Sequence, residues 1–140
     1  MIEIRNREFY PSIIYGVVRS RRLKASLGIN LMPSAYKLCP FNCVYCHWGF
    51  TDIVSPNLSR QMLKDLPGPQ QVKDTLEEEL GKIAQHPFKL RYMKRSADGK
   101  LSFFEEEGPL RYITFSGTGE AALHPQFDQI VELVRAIRDK

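Results

Sequence analysis

All three cysteines of this chain lie within one short run, Cys39-Pro40-Phe41-Asn42-Cys43-Val44-Tyr45-Cys46. Thiolates that are this close on a loop can converge on one soft metal ion or cluster. An odd number of cysteines cannot be closed by internal disulfides alone. A metal site is therefore the first hypothesis for this stretch.

The run has fewer thiolates than a closed metal cage requires. A structural zinc site usually takes four protein ligands, and an iron–sulfur cluster likewise takes four. With only Cys39, Cys43 and Cys46 as ligands, one position of the metal centre would stay open. Open positions are where a metal centre binds small molecules, so the count of three favours a reactive centre.

A c-type haem is an alternative for the same residues. The run Cys43-Val44-Tyr45-Cys46-His47 matches C-x-x-C-H, in which the histidine would be the axial ligand. This interpretation leaves Cys39 without a role. It also requires export from the cytoplasm, whereas residues 1–5 lack the apolar stretch of a secretion signal.

A zinc site is the second alternative. Cys39, Cys43, Cys46 and His47 would make a four-ligand, non-catalytic zinc module that contacts RNA. Zinc cages usually take their ligands from two separated pairs, whereas these four lie in one run. Three ordinary buried thiols are the remaining interpretation.

The spacing Cys-x3-Cys-x2-Cys, with Tyr45 directly before the last cysteine, resembles the cluster motif of the radical S-adenosylmethionine (radical SAM) enzymes. The resemblance implies that Cys39, Cys43 and Cys46 bind a [4Fe-4S] cluster and that the ring of Tyr45 lies near the adenine. In that family the open iron chelates the amino and carboxylate groups of S-adenosyl-L-methionine (SAM). An electron then cleaves SAM to methionine and a 5′-deoxyadenosyl radical. The resemblance thus implies an iron–sulfur oxidoreductase with a low-potential electron donor of the flavodoxin or ferredoxin type.

A second candidate ligand site is the turn Ser116-Gly117-Thr118-Gly119-Glu120, which follows a β-branched and aromatic run at 111–115. Glycines let the backbone approach a ligand closely, and a carboxylate at such a turn can receive an ammonium group. The turn resembles the Gly-Gly-Glu motif of the same family, which binds the amino group of SAM. The resemblance implies cofactor contacts from Ser116, Gly117, Thr118, Gly119 and Glu120. Thr118 stands where that family often has glycine, and Ala121 stands where it often has proline.

The segment before the cysteines carries a weaker resemblance. Residues 15–30 contain Ser20-Arg21-Arg22-Leu23 and resemble a radical SAM subgroup related to the wyosine-forming tRNA-modifying enzymes. This implies modified tRNA as a substrate, with a peptide or a small metabolite as alternatives. The cations Arg19 to Lys24 would bind a carboxylate or phosphate beside the SAM site, or form a solvated surface.

The composition is that of an ordinary globular chain, with 140 residues, 43% hydrophobic content and a formal net charge of +4. This length suffices for one core. No apolar run approaches the roughly 20 residues that a membrane helix needs. Because thiols stay reduced in the cytosol, we expect a cytoplasmic protein that does not cross a membrane. The charge permits a phosphate-bearing partner without requiring one.

The elements predicted around the two motifs alternate between strand and helix. The run 27–32 is typical of a buried strand that delivers the cysteine loop at its C-terminal end. After the breaker Pro67-Gly68-Pro69 comes an amphipathic helix that ends before His86-Pro87, and then the strand at 111–115. The last helix is predicted to begin at His124-Pro125, with proline at the first helical position.

A β-hairpin is predicted at about 88–107, with its turn near Asp98-Gly99. Its basic residues interleave with Phe88 and Tyr92. This composition suits RNA, which proteins contact through charge and stacking. An exposed hairpin with no binding role is equally compatible with this composition.

This order of elements predicts an α/β fold with parallel strands and a ligand site at the carboxyl edge of the sheet. The resemblance implies that residues 1–140 are the N-terminal portion of a radical SAM domain, which is a partial (β/α) barrel, with the hairpin inserted. Residues 1–26 would be an N-terminal extension and 27–140 the first βα units. Because a βα unit takes about 30 residues, the chain is too short for the whole barrel. It would be part of a longer protein, or other segments would complete the sheet.

Overall fold

The computed structural model describes residues 12–20, 22–86 and 88–140 and combines helices with small sheets. Its elements in chain order are β1 (Ile14–Ser20), β2 (Lys24–Ile29), β3 (Leu38–Cys39), β4 (Ile53–Val54), α1 (Arg60–Leu63), α2 (Pro69–Gln85), β5 (Lys89–Arg95), β6 (Leu101–Glu107), β7 (Tyr112–Phe115), a 3₁₀ turn (Ala121–Leu123) and α3 (Phe127–Arg138). Residues 1–11 of the predicted N-terminal extension, and Arg21 of the Ser-Arg-Arg-Leu run, lie outside the described residues.

The central sheet has three strands in the order β1-β2-β7. β2 and β7 are parallel, with Ser26 opposite Tyr112 and Ile29 opposite Phe115, so both strands end at the same edge. β1 pairs with the other side of β2 in the antiparallel direction. The strand expected at 27–32 thus runs from Lys24 to Ile29, and the segments that follow β2 and β7 begin side by side.

The core lies on one face of this sheet. Side chains alternate along a strand, so Leu27 and Ile29 share a face, and the two long helices present apolar residues four positions apart. The buried apolar residues are Ile14, Leu27, Ile29, Leu31, Met32, Leu38, Val72, Leu76, Ala121, Ile130 and Val134. The opposite face of β2 carries the small residues Ser26 and Gly28. It is therefore the face on which a ligand could lie.

α2 matches the amphipathic helix that the sequence predicts. Gly68 is its N-cap, Pro69 is in the first turn, and His86 follows its last residue. No helix among the described ranges is both long and apolar enough to cross a membrane.

α3 begins at Phe127, so the predicted start at His124-Pro125 is wrong. The Glu120 carboxylate caps the 3₁₀ turn by accepting a hydrogen bond from Ala122 N. His124 is buried, and its Nδ1 accepts a hydrogen bond from Gln126 N at 3.1 Å. Its Nε2 therefore carries the proton and donates to the Pro67 carbonyl at 2.8 Å. His124 thus joins the start of α3 to the loop before α2.

β5 and β6 form an antiparallel hairpin in the region where the sequence predicts one. The described strands make up the central sheet and two two-stranded sheets, β3-β4 and β5-β6. The partial barrel stays a prediction.

Candidate ligand site

The cysteine loop and the glycine turn meet at the carboxyl edge of the central sheet. Leu38, the residue before Cys39, forms a parallel β-bridge with Gly119. A Cβ atom on residue 119 would overlap the carbonyl oxygen of Leu38. Only glycine permits this approach of the two backbones. Two motifs that are far apart in the sequence therefore lie at one place.

Buried polar groups hold the glycine turn in place. Thr118 is fully buried, and its hydroxyl donates to the Pro33 carbonyl at 2.5 Å. The Asn30 side chain accepts from Met32 N at 3.1 Å and from Thr118 N at 3.3 Å. Gly117 has a φ of +148°, and a Cβ atom there would overlap Asn30. The turn is thus built by hydrogen bonds within the protein, and Thr118 acts as a buried linker.

Ser116 and Glu120 lie at the two ends of this turn. Ser116 N donates to the Ile29 carbonyl at 3.0 Å, and its exposed side chain has its hydroxyl hydrogen-bonded to Tyr15. Glu120 is half-buried and uses Oε1 for the cap on Ala122. A ligand ammonium group at Glu120 would share the carboxylate with the hydrogen bond from Ala122 N.

The cysteine loop is closed at its base. β3 and β4 pair in parallel, with Leu38 opposite Ile53. Thr51 contributes two more bonds, from its hydroxyl to the Phe41 carbonyl and from its N–H to the Asn42 side chain, both at 2.7 Å. The segment that carries Cys43 and Cys46 lies between these tied ends.

Lys37 is a site residue that the sequence analysis missed. It is buried, and its Nζ donates to the Gly49 carbonyl at 2.7 Å. Its backbone N–H donates to the Asp52 carboxylate at 2.8 Å. Lys37 thus joins the start of the cysteine loop to its end. The signal in the sequence was a lysine directly before the apolar Leu38 and the first cysteine.

The thiols lie along consecutive turns of the loop. Cys46 N donates to the Cys43 carbonyl at 3.1 Å, and Gly49 N donates to the Cys46 carbonyl at 2.9 Å. None of the three cysteines forms a disulfide, and each is half-buried. The pKa of Tyr45 is raised, chiefly by a hydrogen bond to Cys43 and then by the electrostatic interaction with the same residue. The Tyr45 hydroxyl therefore lies beside Cys43, while its side chain is 86% exposed.

The three thiols are not gathered into a metal centre in this structure. Within the described ranges, no group of three or more His, Cys, Asp or Glu side chains is placed to hold a metal ion. The donor set nevertheless suits a soft metal, because it consists of three thiols on one anchored loop.

A cavity of about 310 Å³ connects this loop to the open face of the sheet. His47 and Trp48, which directly follow Cys46, form one wall, with ring centroids 5.6 Å apart in an edge-to-face arrangement. The sheet contributes Tyr15, Ser26, Gly28, Thr114 and Ser116. A larger cavity of about 550 Å³ lies between β7 and α3, but no motif residue lines it. The smaller cavity is therefore the one related to the candidate site.

Comparison with known proteins finds similar segments in much longer proteins. A UPF0026 protein of Methanocaldococcus jannaschii is 36% identical over 89 residues, which are 64% of this chain and 25% of that protein. A UPF0026 protein of Helicobacter pylori is 51% identical over 39 residues, which are 28% of this chain and 12% of that protein. The GTPase Obg of Brachyspira hyodysenteriae is 26% identical over 126 residues, which are 90% of this chain and 14% of that protein. The chain thus spans at most a quarter of these relatives, and no family model or solved structure matches it.

These findings correct the identification made from the cysteine motif. The UPF0026 relatives carry no radical SAM name, and no radical SAM family model matches. The prediction of a radical SAM enzyme, including its wyosine-related subgroup, is therefore wrong. The predicted oxidoreductase class and the predicted reductive cleavage of SAM are therefore wrong as well. The zinc module is also contradicted as a preassembled cage, because Cys39, Cys43, Cys46 and His47 do not form an assembled group of metal ligands among the described residues. The chain is similar to UPF0026 proteins over part of its length, and the roles of individual residues stay predictions.

Proposed function

We propose that this chain contributes a cofactor-binding site in which Cys39, Cys43 and Cys46 hold a soft metal centre at the sheet edge. The observation that carries the proposal is the parallel bridge between Leu38 and Gly119. It joins the loop that carries the thiols to a glycine turn whose backbone allows close approach. The proposal concerns binding and includes no reaction.

The cofactors that we propose are a [4Fe-4S] cluster and, beside it, SAM. Three thiolates fill three of the four iron positions, and Glu120 at the neighbouring turn is a partner for an ammonium group. When bound, such a cluster would supply an iron with an open coordination position and a one-electron redox couple. A low-potential donor of the flavodoxin or ferredoxin type is the redox partner we propose. The cytoplasm, where thiols stay reduced, is the proposed location.

The structure of the loop supports metal uptake by a local rearrangement. Its ends are tied by Thr51 and by the buried Lys37. Its middle is open to solvent, and Val44 is 85% exposed. Metal binding commonly orders the segment that supplies the ligands, because a preformed site is rarely present before the metal arrives. Cys43 and Cys46 can therefore approach Cys39 without disturbing the buried turn behind them.

Anaerobic reconstitution of the full chain with iron and sulfide tests the proposal. We expect the protein to take up iron and sulfide in about equal amounts, as a [4Fe-4S] cluster requires. Replacing any one cysteine by serine should greatly reduce the uptake. The matched control is Val44→Ser, which changes an exposed residue of the same loop that supplies no ligand, and it should load like the wild type.

Four outcomes would count against parts of the proposal. No uptake of any metal, or uptake that is unchanged in the cysteine variants, would exclude these thiols as ligands. One bound zinc without sulfide would keep the thiolate site and exclude the cluster. For SAM, equilibrium dialysis should show binding to the loaded protein and much less to the metal-free protein. Equal binding to both forms would exclude SAM as a partner of the metal centre.

A further inference from the structure

The stem of the β5–β6 hairpin has its charges matched across the two strands. Lys89 lies opposite Glu107, and Lys89 Nζ is 3.3 Å from Glu107 Oε1. The backbone register also places Arg91 opposite Glu105. Basic and acidic positions thus lie opposite each other in the stem, and Lys89 and Glu107 form an ion pair. The basic composition of β5 is therefore a poor guide to the charge of this part of the hairpin.

The tip of the hairpin is different, because its cations lie opposite neutral residues. Lys94 lies opposite Ser102, and Arg95 lies opposite Leu101. Lys100 adds a third cation beside the turn. Asp98 is the carboxylate of the turn itself, and it is hydrogen-bonded to Ser96 and to Lys100 N. The tip thus carries a local excess of positive charge.

The tip also exposes large apolar side chains. Phe103 is 80% exposed, and Met93, which lies directly opposite it, is 58% exposed. Because side chains alternate along a strand, Met93, Arg95, Leu101 and Phe103 share one face of the hairpin. Neighbouring exposed apolar side chains that are rimmed by polar groups mark interaction sites.

We infer that this tip binds single-stranded nucleic acid. The surface, which we call the hairpin tip, consists of Met93, Lys94, Arg95, Lys100, Leu101 and Phe103. Phe103 stacks on an unpaired base, and Met93 and Leu101 extend the apolar platform. The three cations neutralise neighbouring phosphates. Single-strand binding proteins combine such stacking platforms with basic surfaces in the same way.

Charge and shape favour this partner over a lipid surface. Lys94 lies on the face opposite to Arg95, since neighbouring residues of a strand point in opposite directions. Cations therefore surround the apolar group on several sides. A surface that inserts into a membrane needs a broad apolar face with its cations on the other side. A flexible phosphate backbone can instead follow cations around a narrow tip.

Fluorescence anisotropy of a labelled oligouridine of about 12 nucleotides with the full chain tests the inference. We expect binding that weakens as salt rises. Phe103→Ser should weaken it about tenfold, because stacking with one base is lost. Lys94→Gln should lower the slope of log affinity against log salt by about 0.7, the value for one phosphate contact on a single strand. Arg95→Gln is a second charge variant with the same expected effect.

The matched control is Lys89→Gln. It removes the same charge from the same strand, but this charge is already paired with Glu107. We expect its affinity and salt slope to equal those of the wild type. The urea midpoints of all variants should agree, because every substituted residue is exposed.

Several results would overturn the inference. The absence of oligouridine binding would do so, as would an equal loss in Lys89→Gln and Lys94→Gln. Tighter binding to a duplex of the same length would also contradict it, because a duplex offers no unpaired base to Phe103. Binding to vesicles of anionic phospholipid without binding to the oligonucleotide would identify a membrane surface instead. An oligothymidine arm distinguishes RNA from DNA, and binding of either single strand supports the inference.

Discussion

The glycine turn and the cysteine loop lie side by side at the sheet edge, but they are held in different ways. Thr118 in the turn is fully buried and hydrogen-bonded to the Pro33 carbonyl. In the loop, Val44 and Tyr45 project into solvent, and the hydrogen bonds at its base belong mainly to Lys37 and Thr51. One region is complete without a ligand, whereas the other has fixed ends and an exposed middle.

The turn and the loop therefore have different roles in the candidate site. Buried hydrogen bonds in a low dielectric make the turn rigid, so it can serve as a fixed platform. The middle of the loop is exposed, and under our proposal it gains contacts when its thiols bind a metal. Substitutions in the turn should therefore change the stability of the whole chain. Substitutions in the middle of the loop should change binding and leave stability almost unchanged.

Gly119→Ala should have the largest effect on stability. The new methyl group would overlap the Leu38 carbonyl, a backbone atom that cannot move without breaking the bridge between turn and loop. We expect a loss of at least about 3 kcal/mol in the free energy of unfolding, measured with urea. The control is Gly81→Ala in α2, where nothing lies within 4 Å of the added atom. It should stabilise the chain by about 0.5 to 1 kcal/mol.

A free energy of unfolding for Gly119→Ala within about 0.5 kcal/mol of the wild-type value would contradict this prediction, because that is the range of an ordinary surface substitution. The backbone contact between the two motifs would then not be tight. The glycine turn would then not be the rigid platform of the site.

Thr118→Val should have the second-largest effect on the free energy of unfolding. Valine keeps the shape of threonine but removes the hydroxyl, so the buried Pro33 carbonyl loses its donor and Asn30 loses a partner. Leaving buried polar groups unsatisfied costs about 1 to 3 kcal/mol. Thr114→Val in β7 is the matched control, because its hydroxyl makes only long contacts of 3.4 Å. Equal urea midpoints for the two variants would contradict the role assigned to Thr118.

Lys37→Met tests the link between the platform and the loop. Methionine fills a similar volume but cannot donate to the Gly49 carbonyl. We expect a loss of about 1 kcal/mol in unfolding free energy, the usual value of one hydrogen bond, together with weaker metal uptake. Lys64→Met, at an exposed position after α1, should change neither quantity. Unchanged uptake in Lys37→Met would show that the loop does not depend on this tie.

The smallest effect on stability is expected from Tyr36→Phe, and it should be seen only at high pH. Burial, followed by a hydrogen bond to Asp65, raises the pKa of Tyr36 above its usual 10.0. The unfolded chain then releases this proton first, so the contribution of Tyr36 to stability is complete below pH 10 and disappears as pH rises through its folded pKa. Tyr36→Phe should show a shallower alkaline loss of stability in urea titrations. An identical alkaline slope in both proteins would contradict the raised pKa.

The sequence predicted those parts of the fold that depend on local spacing. Val72 and Leu76 are four positions apart, and this helical spacing located α2. The β-branched and aromatic run located β7, and the parallel direction of two strands placed both motifs at one edge. These inferences depend only on patterns of residues that are close in the sequence and on the rule that parallel strands end at the same edge of a sheet.

The sequence could not predict contacts between distant residues. The hydrogen bonds of Asn30 with Thr118, and of His124 with Pro67, join positions that have no local signal for each other. The start of α3 was misplaced because the proline pattern did not reveal the separate 3₁₀ turn that Glu120 caps, after which α3 begins at Phe127. The cysteine spacing located the loop but led to a family assignment that the UPF0026 relatives do not support.

Hydrogen exchange of the loop and the turn, measured before and after anaerobic loading with iron and sulfide, tests whether the three thiols hold a metal centre beside a rigid turn. We predict that amides of residues 41–50 become protected on loading while those of residues 116–120 stay as they are. The variant in which Cys39, Cys43 and Cys46 are all serine should show no change in either segment. Loading that leaves residues 41–50 unprotected, or protection that persists in the triple variant, would contradict a metal centre held by these thiols.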